Sequence, residues 1–173
     1  MLSYFMEQVV DRVGNNNSSK KVSTSRDIKL IVDYTKTIDQ AIADGNYDSI
    51  RLDNITENFQ IPLENIGNKV VVSAKLFWFN YDNRLEEIIS EMDKAGYRPA
   101  TIMELLALGA LLPKLQKRFR ILAPGSVGKH SRYNFLPSLD RNYDRNRREL
   151  IGYYNFGYFN YLQYSIRFLG VSK

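Results

Sequence analysis

Residues 95–128 read AGYRPATIMELLALGALLPKLQKRFRILAPGSVG, and the order of signals in this stretch decides the fold. Gly96 is placed as the residue just past a helix end, where a left-handed backbone is favoured. Arg98 and Pro99 follow as a turn. Thr101 and Glu104 then form a T-x-x-E capping box ahead of Leu105, Leu106 and Leu108, the signature of a new helix. Pro113 ends that helix, because proline has no N–H to continue it. Residues 119–123, FRILA, read as a strand, and Pro124, Gly125, Ser126 and Gly128 as the turn after it.

Upstream, residues 82–95 are amphipathic through Leu85, Ile88, Ile89 and Met92 and predict a helix that stops at Gly96. Residues 58–63 and 69–80 are rich in β-branched and aromatic side chains and read as strands. The spacing of Ile28, Ile31, Tyr34, Thr35, Ile38 and Ile42 predicts a helix over 26–43, with Ser25 as N-cap and Gly45 as stop. Residues 14–25, GNNNSSKKVSTS, have turn formers and charge with almost no apolar content, and read as a mobile loop. Before them, Leu2, Phe5, Met6, Val9, Val10 and Val13 fall on one face of a short helix that needs a surface to pack on.

Downstream of residue 128 come short β segments interrupted by polar residues, with no internal repeat. The reading is α+β: two helices packed on a small twisted antiparallel sheet, with an N-terminal helical extension. Residues 1–57 are the expected helical segment and 58–173 the main domain. Its last strand, through Ile166, Phe168 and Leu169, is expected to be central or closing. Trp78, Leu105, Leu106, Ile121 and Phe168 are the expected core, with Trp78 the largest contributor.

At 173 residues and 44% hydrophobic, the chain can bury a sizeable core. There is no cysteine and one histidine, His130, which removes disulfides, cysteine-based zinc sites, thiol catalysis and a triad with a spare histidine. His130, beside Lys129 and Arg132, has no partner motif and reads as solvent-exposed. Glu86, Glu87 and Glu91 share one helical side and read as a solvated face. No enzyme, metal or cofactor is expected. The N-terminus lacks a basic region followed by an apolar one, and no apolar stretch approaches the ~18 residues of a membrane span. A soluble, cytoplasmic protein without a membrane partner is expected.

The formal net charge is +5, unevenly placed. Residues 1–113 hold 12 Lys/Arg against 16 Asp/Glu, a net of −4, whereas residues 114–173 hold 12 against 3, a net of +9. The basic third also contains SRYNFLPSLDRNYDRNRRELIGYYNFGYFNYLQY, residues 131–164, with seven of the twelve tyrosines, five asparagines and five arginines. Tyr offers a large rigid contact area, Asn and Ser adaptable hydrogen bonds, and Arg forked or stacked contacts, so the composition is that of a recognition surface. The competing reading is that tyrosines alternating along a strand form half a core, which leaves the asparagines unexplained.

The segment 95–128, followed by the polar aromatic region and closing on SIRFLGVSK, resembles the variable proteins of diversity-generating retroelements, as found in nanoarchaea and candidate-phylum bacteria. The resemblance covers about residues 82–173 and implies a C-type lectin fold of the branch related to formylglycine-generating enzymes. It also implies a variable region at 131–164, diversified by reverse transcription that errs at adenines. Carried over residue by residue, the variable, ligand-binding positions are Ser138, Asp140, Asn142, Tyr143, Arg145, Asn146, Tyr153, Asn155, Tyr158, Asn160 and Tyr161. Leu150, Gly152, Gly157, Ile166, Phe168 and Leu169 are the implied scaffold, and Phe156 and Phe159 are assigned to the core. The Glu-Pro-Asn, Gln-Pro-Asp and Trp-Asn-Asp motifs of calcium lectins are missing, and formylglycine chemistry needs cysteines this chain lacks.

The expected function is therefore non-catalytic ligand binding through a Tyr/Asn/Arg surface, with Arg141, Arg145, Arg147 and Arg148 steering an acidic macromolecule, most simply a protein. The alternative is a nucleic-acid-binding module, in which tyrosines stack on bases and the basic third tracks phosphates.

Overall fold

The computed structural model describes residues 21–52, 55–142, 146–154, 159 and 165–173. The expected helix over 2–13 and most of the loop at 14–25 lie outside them.

The longest strand, β4 (Lys69–Phe79), carries the run KVVVSAKLFWF, whose branched and aromatic side chains suit a pleated surface, exposed at Lys69 and Val71 and buried at Ala74, Leu76 and Phe77. Around it the described residues build one ten-stranded sheet. β10 (Ile166–Ser172) lies at its middle, antiparallel to β4 and to β5 (Tyr97–Pro99) and parallel to β6 (Arg120–Leu122). From β6 the sheet continues through β8 (Tyr133–Asn142) and β9 (Arg147–Tyr153) to β3 (Ser49–Arg51), which is parallel to β9. β7 (Gly128–His130) pairs with the start of β8. On the other side of β4 lie β1 (Val22–Thr24) and β2 (Ile28–Asp33).

Side chains alternate between the two faces and make two cores. Leu76, Ile121, Phe135, Leu139, Leu150 and Leu169 pack beneath α1 (Ile38–Gly45) and α4 (Ile102–Leu111). Their sequence neighbours Phe77, Leu122, Leu136 and Phe168 point the other way and pack against Ile88 and Met92 of α3 (Leu85–Lys94), with Tyr153 and Phe159. No described helix is long and apolar enough to cross a membrane.

The helix signals of the 95–128 stretch fold as read, but Arg98 and Pro99, expected as a turn, lie in β5 because they pair with Val171 and Gly170 of β10, and Gly128 opens β7 opposite Phe135. Gly96 has φ +83° just beyond α3. The Glu104 carboxylate accepts from the Thr101 N–H at 2.7 Å, and Ser126 Oγ caps Ile102 N–H at 2.9 Å. Arg98 holds the fully buried Glu104 through two bonds, 3.1 and 2.5 Å, so the Y-R-P-A-T-x-x-E motif is a structural clamp at the start of α4. The closing strand is central, as expected.

Elsewhere the architecture differs from the expectation. The sheet is large and mixed, not small and antiparallel. The N-terminal extension is not the helix expected over 26–43. Residues 28–33 form β2, because Leu30 and Val32 are covered while Lys29, Ile31 and Asp33 face out, a period of two that pairing with the valine run of β4 selects over the helical spacing. The helix begins at Ile38, with Thr37 and Gln40 as its capping box, and Ser25 Oγ instead accepts from Leu76 N–H in β4. Within the expected loop, Val22–Thr24 is a strand. The expected strand at 58–63 is absent: Asn58 ends the single turn α2 (Ile55–Asn58), and Pro62, which cannot donate to a ladder, precedes a 3₁₀ turn at Leu63–Asn65. Trp78 is half-buried, and Phe77 fills the core instead, since Trp78 lies at the end of the sheet with the Arg167 guanidinium 4.6 Å from its ring centroid.

Candidate ligand-binding end of the sheet

Strand register gathers the basic part of the chain at one end of the sheet. Ile166 pairs with Arg120, Ile121 with Leu139, Asn142 with Arg147, Ser49 with Glu149, and Phe168 with Phe77. Arg120, Asn142, Asn146, Arg147, Arg167 and Trp78 therefore share this end, beside the turn that carries Lys117 and Arg118. Among the described residues no carboxylate lies within ion-pair distance of Lys117, Arg118 or Arg147, and Arg118 and Arg147 are exposed. The Arg167 guanidinium is stacked between Phe119, 4.2 Å from the ring centroid, and Trp78. Burial pulls its pKa down to about 10, which leaves it charged at neutral pH.

Beneath this rim lies a satisfied polar layer. Asp140 and Glu149 are cross-strand partners on one face, both buried, and two like charges so placed would repel. Each is matched by an arginine: Arg120 Nε donates to Asp140 at 2.6 Å, and Arg51 donates to Glu149 at 2.7 Å. Gln116 donates to the main-chain oxygens of both residues and accepts from Arg148 Nε at 3.2 Å.

Three of the implied binding positions are thus interior ones. Ser138 is fully buried, its Oγ without a hydrogen-bond partner among the described residues. Asp140 is held by Arg120 and by the Arg141 N–H at 2.8 Å. Tyr153 is buried and stacked on Phe159, ring centroids 5.7 Å apart. Each sits on a central strand with its side chain on the face that α3 and Phe159 cover, which is why alternation alone could not mark it as exposed. Asn142 is half-buried, its amide 3.5 Å from Glu149 Oε1. Asn146 is exposed at φ +49°, a left-handed turn position that suits Asn. Tyr143, Arg145, Asn155, Tyr158, Asn160 and Tyr161 lie outside the described residues.

The implied scaffold positions Leu150, Ile166, Phe168 and Leu169 are buried, and Phe159 is core as assigned. Gly157 and Phe156 lie outside the described residues. Arg148 is not a steering charge, since it is spent on main-chain oxygens of the α1 and α4 layer. Two exposed tyrosines, Tyr133 and Tyr154, stand at the opposite end, where β8 begins and β9 ends, together with exposed His130. The described residues of 131–164 therefore lie at both ends of the sheet. The Trp78–Arg167–Phe119 stack escaped the sequence reading because its members come from three separate strands or turns, and only register unites them. Among the described residues no group of His, Asp and Glu side chains is arranged to hold a metal ion. No protein-family model, no curated protein and no solved structure matches this chain.

Proposed function

We propose that the chain is a non-catalytic binding protein of the retroelement-diversified kind, with a C-type lectin-like scaffold that presents Tyr/Asn/Arg-rich segments to an acidic macromolecular ligand. The observation that carries this reading is the set of cations Lys117, Arg118 and Arg147, without carboxylate partners among the described residues, at the sheet end that also carries Asn142, Asn146 and Ser165. Such a rim raises the encounter rate with an acidic protein, while aromatic anchors supply the affinity. The positions offered for diversification are Tyr143, Arg145, Asn146, Asn155, Tyr158, Asn160 and Tyr161, with Ser138, Asp140 and Tyr153 reassigned to the scaffold and half-buried Asn142, its amide beside Glu149, kept fixed.

The half-buried rings of Trp78 and Phe119 beside the basic rim favour a second reading, nucleic-acid binding, because aromatic planes stack on bases. One experiment separates the two. The seven positions are randomised, the library is displayed on yeast, and it is selected against a folded acidic protein, with a mixed-sequence single-stranded DNA oligonucleotide as the competing probe. The proposal predicts clones that bind the protein and not the oligonucleotide, with a shallow dependence on salt. Uniform binding of the parent chain to the oligonucleotide, falling steeply with salt as released counterions require, would transfer the case to nucleic acid.

A further inference from the structure

Among the described residues strand β2 pairs only with β4 and is an open edge of the sheet, and its sequence is complementary to itself. Tyr34 exchanges main-chain bonds with Asn68 and Gly67, at 2.8 and 3.0 Å, which fixes the phase of the β2–β4 ladder. Leu30 and Val32 share that phase and turn their backbone groups toward β4, whereas the N–H and C=O of Lys29 and Ile31 point away from the sheet. Among the described residues no turn, loop or side-chain group bonds the main chain of Lys29 or Ile31. An uncovered row of this kind is a template for another strand. Ile31 and its register partner Val71 are 66% and 67% exposed, two large apolar side chains side by side at the edge.

We infer that β2 is the seam of a symmetric dimer in which two copies of this chain pair antiparallel about Ile31. That register sets Ile31 against the partner's Ile31 and Lys29 against the partner's Asp33, and the two-fold axis repeats the ion pair on the other side. Val71, Ile31, the partner's Ile31 and the partner's Val71 then form one apolar row across the seam, the kind of cross-strand contact that stabilises a sheet. The neighbouring registers are poorer. Centring on Leu30 sets Asp27 against the partner's Asp33, a like-charge pair, and centring on Val32 sets Ile31 against the partner's Asp33. Beside the edge opens a cavity of about 360 Å³ whose lining includes Met103, Leu106, Ala107 and the exposed Leu111, and a paired strand would cover it. The seam lies in the N-terminal half of the chain, away from the basic rim, and stands independently of the binding proposal.

Sedimentation equilibrium of the full chain and of charge-swapped variants tests the seam. The wild type should sediment as a concentration-dependent dimer. Lys29→Asp and Asp33→Lys should each weaken dimerisation at least tenfold, because each sets like charges against each other. Mixed together, these two variants should form a heterodimer, since their charges are then complementary, and the double variant K29D/D33K should regain the dimer. Circular dichroism confirms that each variant is folded. Because Asp33 also has partners within its own chain, Ile31→Asp provides a second disruptor at an exposed site, with the same loss expected. A wild type that stays monomeric throughout the concentration range would overturn the inference, as would variants that dimerise as well as the wild type.

Discussion

The guanidinium of Arg148 donates to the main-chain oxygen of Gly109 at 2.8 Å, tying β9 to α4. The same group donates to Gly45 O at 2.6 Å and lies 5.1 Å from the ring centroid of Tyr47, so one arginine closes the layer in which α1 and α4 meet the sheet. Hydrogen bonds from a charged donor contribute about 1.5–3 kcal/mol, and buried acceptors left unpaired cost more. Arg148→Ala should therefore lower stability by about 3 kcal/mol in urea denaturation, whereas Arg147→Ala, at an exposed neighbour, should stay within about 0.5 kcal/mol. Equal small effects would show that Arg148 is not a structural clamp.

Gly109 is also where α4 comes closest to Tyr47. A Cβ at this position would lie 2.2 Å from the Tyr47 hydroxyl, which is buried without a hydrogen-bond partner among the described residues. Gly109→Ala should cost about 1–3 kcal/mol by overpacking, and less in a Tyr47→Phe background. Tyr47→Phe alone should be neutral or stabilising, because it removes an unsatisfied hydroxyl. Burial pushes the Tyr47 pKa up to about 12, so the folded chain keeps this proton after the unfolded chain has begun to lose it. Its contribution to stability is full below pH 10 and is lost between pH 10 and about 12. Absorbance titration of wild type against Tyr47→Phe checks the assignment.

Two neighbours on β8 should respond in opposite ways. Asp140→Ala strips a buried carboxylate from Arg120 and should cost about 3–5 kcal/mol, the range for breaking a buried ion pair. Ser138→Ala should leave the thermal midpoint unchanged or raised, because its Oγ bonds nothing among the described residues. If Asp140→Ala were as stable as the wild type, Asp140 would return to the list of display positions.

Asp33 gives the fold an acid-sensitive corner. Hydrogen bonds from Thr35 and from Lys69 hold its carboxyl at about 2, below the ordinary 3.8. The unfolded chain then takes up the proton first as pH falls, so this contribution is full above about pH 4 and is lost toward about pH 2. The thermal midpoint of Asp33→Asn should fall less than that of the wild type between pH 5 and pH 2.5. Parallel curves would contradict this.

Local chemistry was legible in the sequence wherever a signal is self-contained. The α3 stop at Gly96, the Thr101/Glu104 start of α4, its end before Pro113 and the strand over 69–79 each depend on residues a few positions apart. The character of β2 was not, because Ile28, Ile31 and Tyr34 fit a helical face as well as a strand, and the choice is made by the valines of β4 some forty residues away. The site was legible in its charge but not in its exposure. Ser138, Asp140 and Tyr153 have the composition of a recognition surface, and only the covering layer of α3 and Phe159 shows that they face inward. Arg148 was equally ambiguous, since a buried clamp and a steering charge are spelled with the same residue.

The central claim, that the Tyr/Asn-rich segments are products of templated diversification, is tested most directly by sequencing the genomic DNA on either side of the gene. The account predicts a near-copy of the stretch encoding residues 131–164 that differs where the copy has adenine, beside a reverse transcriptase gene. Its differences should fall at codons such as those of Tyr143, Asn155, Tyr158 and Asn160 and spare those of Ser138, Asp140 and Tyr153. Flanks with no such copy and no reverse transcriptase gene would contradict the account.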